Sequence, residues 1–265
     1  QFFPDFCHHH SMKRLLPVLV GFALLLLLGG CQTTSTQYND RGWFDPMKRS
    51  LNNKSYGYQI VKDVTGSAPT KLIERFEVRP GDCSANIGGW DDCATDRERS
   101  ELSQENKDIF IGNTEWYGWY LFVPKEHKDI WPTAVYMGQF HQVHAKPAWM
   151  FYNRFDGYYL DYHVGKDFQF AKLLDIKDFL GQWNKIEVNA KWSDGNDGYF
   201  RVYVNGKLNV NFGGKTASAS KLYFKYGIYR SFVSRYKIVS HGKVPPTQII
   251  YFTKVKRGSS RDSIQ

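Results

Sequence analysis

The sequence predicts an all-β fold, a two-layer β-sandwich of jelly-roll type. Three observations predict it. From Tyr56 onward the chain is a succession of about eleven short runs rich in β-branched and aromatic residues, the strand density a sandwich needs. Phe (19), Tyr (17), Trp (8) and Gly (23) are abundant, while long helical periodicity is missing. Val204-Asn205-Gly206-Lys207 is a strong hairpin signal, because Asn-Gly accepts the positive φ of a type I′ turn.

The elements follow in order. Gln1–Ser11 precede Met12 and read as upstream translation or a cloning remnant, so their histidines are no evidence of a metal site. Met12-Lys13-Arg14 is a basic start, Leu15 to Leu28 is apolar, and Leu28-Gly29-Gly30-Cys31 follows. The apolar run is short for a membrane-spanning helix. Residues 12–30 look like a bacterial lipoprotein signal peptide with lipidation at Cys31; a simple secretory signal is the alternative. Gln32, where an Asp would signal retention, points to an outer-membrane lipoprotein facing the periplasm or the cell surface. Residues 31–55, rich in Thr, Ser and Gln at their start, read as the anchored tether.

The strand domain is expected over 56–256, with a flexible tail at 257–265. Its runs begin at Tyr58, Ile73, Arg97, Glu115, Ala134, Trp149, Tyr158, Trp183, Gly198, Leu222 and Thr247. In the Trp183 run, Glu187, Asn189 and Lys191 alternate with Ile186, Val188 and Ala190, giving one wet face. The one helix expected lies near Ile176–Leu180. Of four cysteines, Cys83 and Cys93 stand ten apart in a polar loop. In an oxidising compartment they read as a disulfide contributing about 2–3 kcal/mol. Further ligands at zinc spacing are missing, so no metal site is expected. The net charge of +9 points to an acidic partner. For an exported protein that partner is an anionic polysaccharide rather than nucleic acid, unless the surface is merely basic. The molecule is expected to be a monomer.

Three strands carry polar residues where a core would want apolar ones. Tyr223, Lys225, Gly227 and Tyr229 share one strand face. That pattern suits the floor of an anion site, with Gly227 as the gap through which a ligand meets the backbone. Arg97, Arg99 and Glu101 share a face of their own strand, as do Gln139 and His141. By strict alternation His144 and Arg230 point away from the site. Each pattern alone fits a surface ion pair or a semi-buried histidine; together they fit one groove. Trp116, Trp119 and Trp149 are either sugar-stacking or core residues.

Arg99-Ser100-Glu101-Leu102, Gln139-Phe140-His141 and Tyr223-Phe224-Lys225-Tyr226-Gly227-Ile228-Tyr229-Arg230, in that order, resemble the jelly-roll polysaccharide lyases of the heparin lyase I and glucuronan lyase group, with alginate lyases of the same architecture more distant. The resemblance spans Tyr56–Val255. It implies a concanavalin-like jelly roll and β-elimination from a uronic acid (glucuronan, heparin-like polymer or alginate), leaving 4,5-unsaturated products. No cofactor is expected to be required; because the chain is shorter than heparin lyase I, the Ca²⁺ site of that family's longer insertions is in doubt here, and Ca²⁺ stays an open alternative that the sequence does not support.

Elimination must abstract the proton at C5 beside a carboxylate, so the carboxylate has to be neutralised. Arg99 and Gln139 suit that task. His141 or Tyr229 takes the proton, and Tyr229 can protonate the leaving oxygen. Lys225 and Arg99 are expected to favour the Tyr229 phenolate. Lys225, Arg97 and Tyr223 are expected to bind substrate, and Glu101 to bind it or to orient Arg99.

Other classes fit less well. A retaining glycosidase needs two carboxylates about 5–5.5 Å apart, whereas Glu98 and Glu101 fall on opposite faces of a regular strand. No Gly-x-Ser-x-Gly, P-loop or dinucleotide fingerprint is present. A non-catalytic carbohydrate-binding lipoprotein of the same fold is the competing reading.

Overall fold

The computed structural model describes residues 46–86, 89–165 and 169–265. The expected signal peptide, Cys31 and the first part of the tether lie outside these residues. In chain order the strands are β1 (Met47–Ser50), β2 (Tyr58–Lys62), β3 (Leu72–Val78), β4 (Arg97–Gln104), β5 (Ile109–Phe110), β6 (Thr114–Phe122), β7 (Ala134–Gln142), β8 (Trp149–Arg154), β9 (Gly157–Tyr162), β10 (Gln169–Asp175), β11 (Trp183–Lys191), β12 (Tyr199–Val204), β13 (Lys207–Gly213), β14 (Lys221–Ser231) and β15 (Gln248–Gly258). Two short helices are α1 (Ile176–Phe179) and α2 (Val233–Val239).

The strands form two antiparallel sheets packed as a jelly-roll sandwich. One runs β1-β4-β14-β7-β8-β9-β10 with β5 on the end of β14; the other runs β13-β12-β11-β6-β15-β3-β2. Aromatic side chains from both inner faces interlock between them. Trp119 of β6 meets Phe151 of β8 edge-on at 5.1 Å, Phe76 of β3 meets Tyr226 of β14 at 5.5 Å, and Trp149 of β8 stacks on Phe200 of β12 at 4.0 Å. Trp119 and Trp149 are therefore core residues, and Trp116 lies on the second sheet, stacked on Tyr203. Asn205 and Gly206 both adopt positive φ, 49° and 82°, closing the β12–β13 hairpin as a type I′ turn requires.

The folded unit is longer than the expected 56–256. β1, inside the stretch assigned to the tether, pairs with β4 (Met47 opposite Gln104). It is a short, basic edge strand without an apolar run, so it carries no strand signal. The stretch expected as a flexible tail is docked: β15 runs on to Gly258, Arg261 bonds Glu187 at 2.7 Å, and Ile264 is buried. β10 also escapes sequence patterning, because a bulge between Lys172 and Leu174 breaks its alternation.

Candidate active site

β14 sits between β4 and β7, and its register assembles three distant segments. Tyr229 lies opposite Arg99 on one side and Tyr136 on the other; Lys225 lies opposite Ser103 and Gln139; Tyr223 lies opposite His141. Alternation puts Leu102, Phe140, Tyr226 and Ile228 into the sandwich and turns the polar set outward. Above that outer face lies a groove of about 930 Å³, lined by Arg97, Arg99, Gln139, His141, Tyr223, Lys225 and Tyr229 among others.

Glu101 lies beneath the groove rather than on its wall. It is buried, and its carboxylate accepts hydrogen bonds from Arg99 Nη1 (3.0 Å), Gln139 Nε2 (2.6 Å) and Lys225 Nζ (2.6 Å). Burial alone would raise its pKa; Lys225, Arg99 and these bonds outweigh that and hold it below the usual value. Lys225 shows the opposite balance. Burial, helped by the Arg99 charge, wins over the Glu101 carboxylate and pulls the ammonium down to about 8.

Arg99 is clamped a second time. Its Nε and Nη2 each reach a carboxylate oxygen of Asp92 at 2.5 Å, and Asp92 is fully buried. The two cations Arg99 and Lys225 are thus matched by the two anions Asp92 and Glu101. The remaining guanidinium N–H groups of Arg99 and the second amide N–H of Gln139 stay free to donate to a ligand. Arg97 pairs with no carboxylate among the described residues, so its charge stands unmatched, and Lys107 and Lys146, which also line the groove, add to it. Arg97 Nε donates to the Tyr229 hydroxyl at 2.9 Å.

His141 is half-buried and stacks on Tyr223 at 5.0 Å. Its Nδ1 lies 2.8 Å from the Gln142 carbonyl. A carbonyl only accepts, so Nδ1 carries the proton and Nε2 keeps its lone pair. Burial and the nearby Lys225 charge lower its pKa to about 4, so the ring is neutral at neutral pH. Tyr229 lies under the Arg99 guanidinium (4.4 Å to the ring) and stacks on Tyr136 at 5.9 Å. Its pKa is raised, because burial outweighs the pull of Arg99 and Arg97. The expected bias toward phenolate is therefore reversed: Tyr229 is a phenol that holds its proton.

Three further placements differ from expectation. Gly227 is not a gap for a ligand. Its φ is +128°, and a Cβ there would stand 2.3 Å from the Ser100 carbonyl and 2.8 Å from Phe76, so glycine serves a bulge packed against β4 and the core. His144 does not turn away: β7 ends at Gln142, His144 adopts positive φ in the following turn, and it lines the groove. Asp92 and Trp90, unforeseen, come from the loop closed by the Cys83–Cys93 disulfide. The signal available for them was an acidic and aromatic run directly ahead of a bridged cysteine. Arg230 does lie on the inner face, bonded to Glu98 at 2.9 Å and Gln248 at 3.0 Å. Among the described residues no three His, Cys, Asp or Glu side chains converge as a metal site.

A neutral imidazole with a bare Nε2, a protonated phenol and free cationic N–H donors around one groove form an acid–base pair beside an anion site. A profile described as polysaccharide lyase matches residues 33–256. No curated protein sequence matches the chain. Among solved structures, the endo-β-1,4-glucuronan lyase of the fungus Trichoderma reesei is similar in fold, with TM-score 0.62 and 14% identity over 85% of this chain and 96% of that one. An alginate lyase of polysaccharide lyase family 7 has TM-score 0.55 and 17% identity over 81% and 94% of the two chains. A second family 7 alginate lyase, solved with a bound product, has TM-score 0.55 and 13% identity over 81% and 95%. At these identities the likeness concerns the fold.

Proposed function

The chain belongs to the polysaccharide lyase family, and on that premise we propose that it cleaves a uronate-containing acidic polysaccharide, of the glucuronan, alginate or heparin-like class, by β-elimination at this groove. The observation that carries the reading is the pairing of opposite proton states: His141 with a free Nε2, and Tyr229 with its proton in place.

In the proposed reaction the uronate carboxylate takes the free N–H groups of Arg99 and Gln139, with Arg97 supplying the charge that balances it. Charge that builds on the carboxylate as C5 loses its proton is stabilised there. His141 Nε2 takes the C5 proton, the C5–H electrons form the C4=C5 double bond, and the C4–O bond breaks. The departing oxygen takes the Tyr229 proton. Glu101 and Asp92 touch no sugar in this scheme; they hold Arg99, Gln139 and Lys225 in place.

The test is ultraviolet absorbance of the conjugated unsaturated uronate, followed on glucuronan, alginate and heparin. His141→Ala and Tyr229→Phe are each expected to lower kcat by about 10²–10⁴-fold, the usual contribution of a positioned acid or base. Rates that survive both substitutions would remove the site assignment while leaving the activity standing. Binding of the polymers without any absorbance rise would favour a binding module.

We also propose that the enzyme is tethered to the outer membrane through a lipid at Cys31. The basic start, the apolar run Leu15 to Leu28 and Leu28-Gly29-Gly30-Cys31 support this.

A further inference from the structure

We propose that Trp90, with Asn86 beside it, is a sugar-stacking platform on the rim of the groove, taking the pyranose face of a residue neighbouring the one cleaved, and that Asp92 ties this platform to Arg99. The proposal rests on the lyase reading of the groove and adds a subsite to it.

Trp90 is 50% exposed, and it lines the groove together with Asn86. It is not loosely placed. The indole Nε1 donates to Asp92 Oδ1 at 2.8 Å, and the same carboxylate holds Arg99 through two bonds of 2.5 Å. The backbone around it is pinned as well. Asn86 N–H bonds the Trp90 carbonyl at 2.9 Å, Asp92 N–H bonds the Ser84 carbonyl at 3.0 Å, and the Cys83–Cys93 disulfide closes the segment. An indole spent only on shielding Asp92 would gain by packing inward. Instead it is oriented by its one polar atom, and about half of its surface is left in water.

A pyranose offers a C–H face that covers such a ring and hydroxyls at its edge that an amide like Asn86 can bond. A carboxylate gains nothing from indole, so the charged groups of the polymer go to Arg97 and Arg99. The platform thus contributes contact area common to ground and transition states, which appears in KM rather than kcat.

The experiment compares the full chain with Trp90→Ala and Trp90→Phe. Product formation is measured on the best of glucuronan, alginate and heparin, and mobility is measured in gels cast with the same polymers. Trp90→Ala is expected to raise KM about tenfold with kcat little changed and to lose gel retardation, as removal of one stacking contact implies. Trp90→Phe, which keeps a ring and loses the Nε1 bond, is expected to recover most of the loss. An unchanged KM and mobility in Trp90→Ala overturns the proposal. So does a fall in kcat with thermal stability at constant KM, which would mean that Trp90 acts only by propping Asp92. A wild type that is retarded without forming product sinks the lyase reading alone, and the Trp90 variants are then judged by mobility. A wild type neither active nor retarded on any of the polymers overturns both.

Discussion

Replacing Glu101 with Gln tests the ionic cluster that holds the site together. The substitution keeps the shape and removes the charge that Lys225 and Arg99 meet at 2.6 and 3.0 Å. Arg99 keeps Asp92, but Lys225 is buried and has no other carboxylate in contact among the described residues. Leaving a buried charge uncompensated costs about 3–5 kcal/mol, and for a chain of this size that is a fall in Tm of roughly 6–20 °C. Lys225 also sets the pH dependence. Its ammonium is already pulled down to about 8 by burial, and Glu101 is the largest influence holding it up. Without the carboxylate it falls further. A lysine whose folded pKa lies below its unfolded value near ~10.4 binds fewer protons when folded, so stability rises with pH between the two values. In the variant that window opens at lower pH than in the wild type. The deficit is therefore largest near pH ~6 and shrinks toward pH ~9. Thermal melts of the wild type, Glu101→Gln, Lys225→Met and the double variant at both pH values measure it. The double variant should recover at least ~1 kcal/mol against the sum of the singles. A deficit under ~0.5 kcal/mol, one that grows with pH, or strict additivity would refute the reasoning.

Three further outcomes are expected. The free-enzyme pH profile of kcat/KM should lose activity on the acid side only as pH falls through about 4, where His141 protonates, and not near its ordinary value. On the alkaline side it should decline above about 8, as Lys225 discharges, and Lys225→Arg should move that limb upward in a stopped or continuous absorbance assay. Gly227→Ala should destabilise the fold by about 2 kcal/mol or more in denaturant titration, because the residue needs a left-handed φ and its Cβ meets backbone. Cys31→Ser should move the protein from the membrane to the soluble fraction of cells, and retention in the membrane would remove the lipid anchor from the proposal.

Period-2 alternation made the three site strands legible. It is a local property, and β4, β7 and β14 obey it closely enough that Arg99, Gln139, His141, Lys225 and Tyr229 all reach one groove from sequence positions far apart. Alternation fails where the backbone leaves the regular strand. Counting from His141 puts His144 on the far side, but the strand stops two residues earlier and a positive-φ turn brings it back. Lack of a side chain suggests that Gly227 makes room for a ligand, but its real constraint is a bulge in the pairing with β7 and a close approach to β4, which no one-dimensional pattern displays. The loop carrying Trp90 and Asp92 has no periodicity to read.

The electrostatics of the site were the least legible part, for a physical reason. A sequence shows how many charges lie on a face but not which of them are already matched. Arg99 and Lys225 look like the two cations that would hold a uronate, yet Asp92 and Glu101 cancel both, and Asp92 arrives from a loop outside the three strands. The charge that remains at the groove belongs to Arg97, Lys107 and Lys146, and Arg97 Nε also bonds the Tyr229 hydroxyl. Arg99 then contributes geometry more than net charge: a guanidinium fixed in orientation by two carboxylates at the lining of the groove. The same accounting explains Tyr229. Counting neighbouring cations predicts a phenolate, and Arg99 and Arg97 do pull that way, but burial outweighs them and decides the proton state. A matched inner cluster beside the unmatched cations Arg97, Lys107 and Lys146 is suited to receive the carboxylates of an anionic chain.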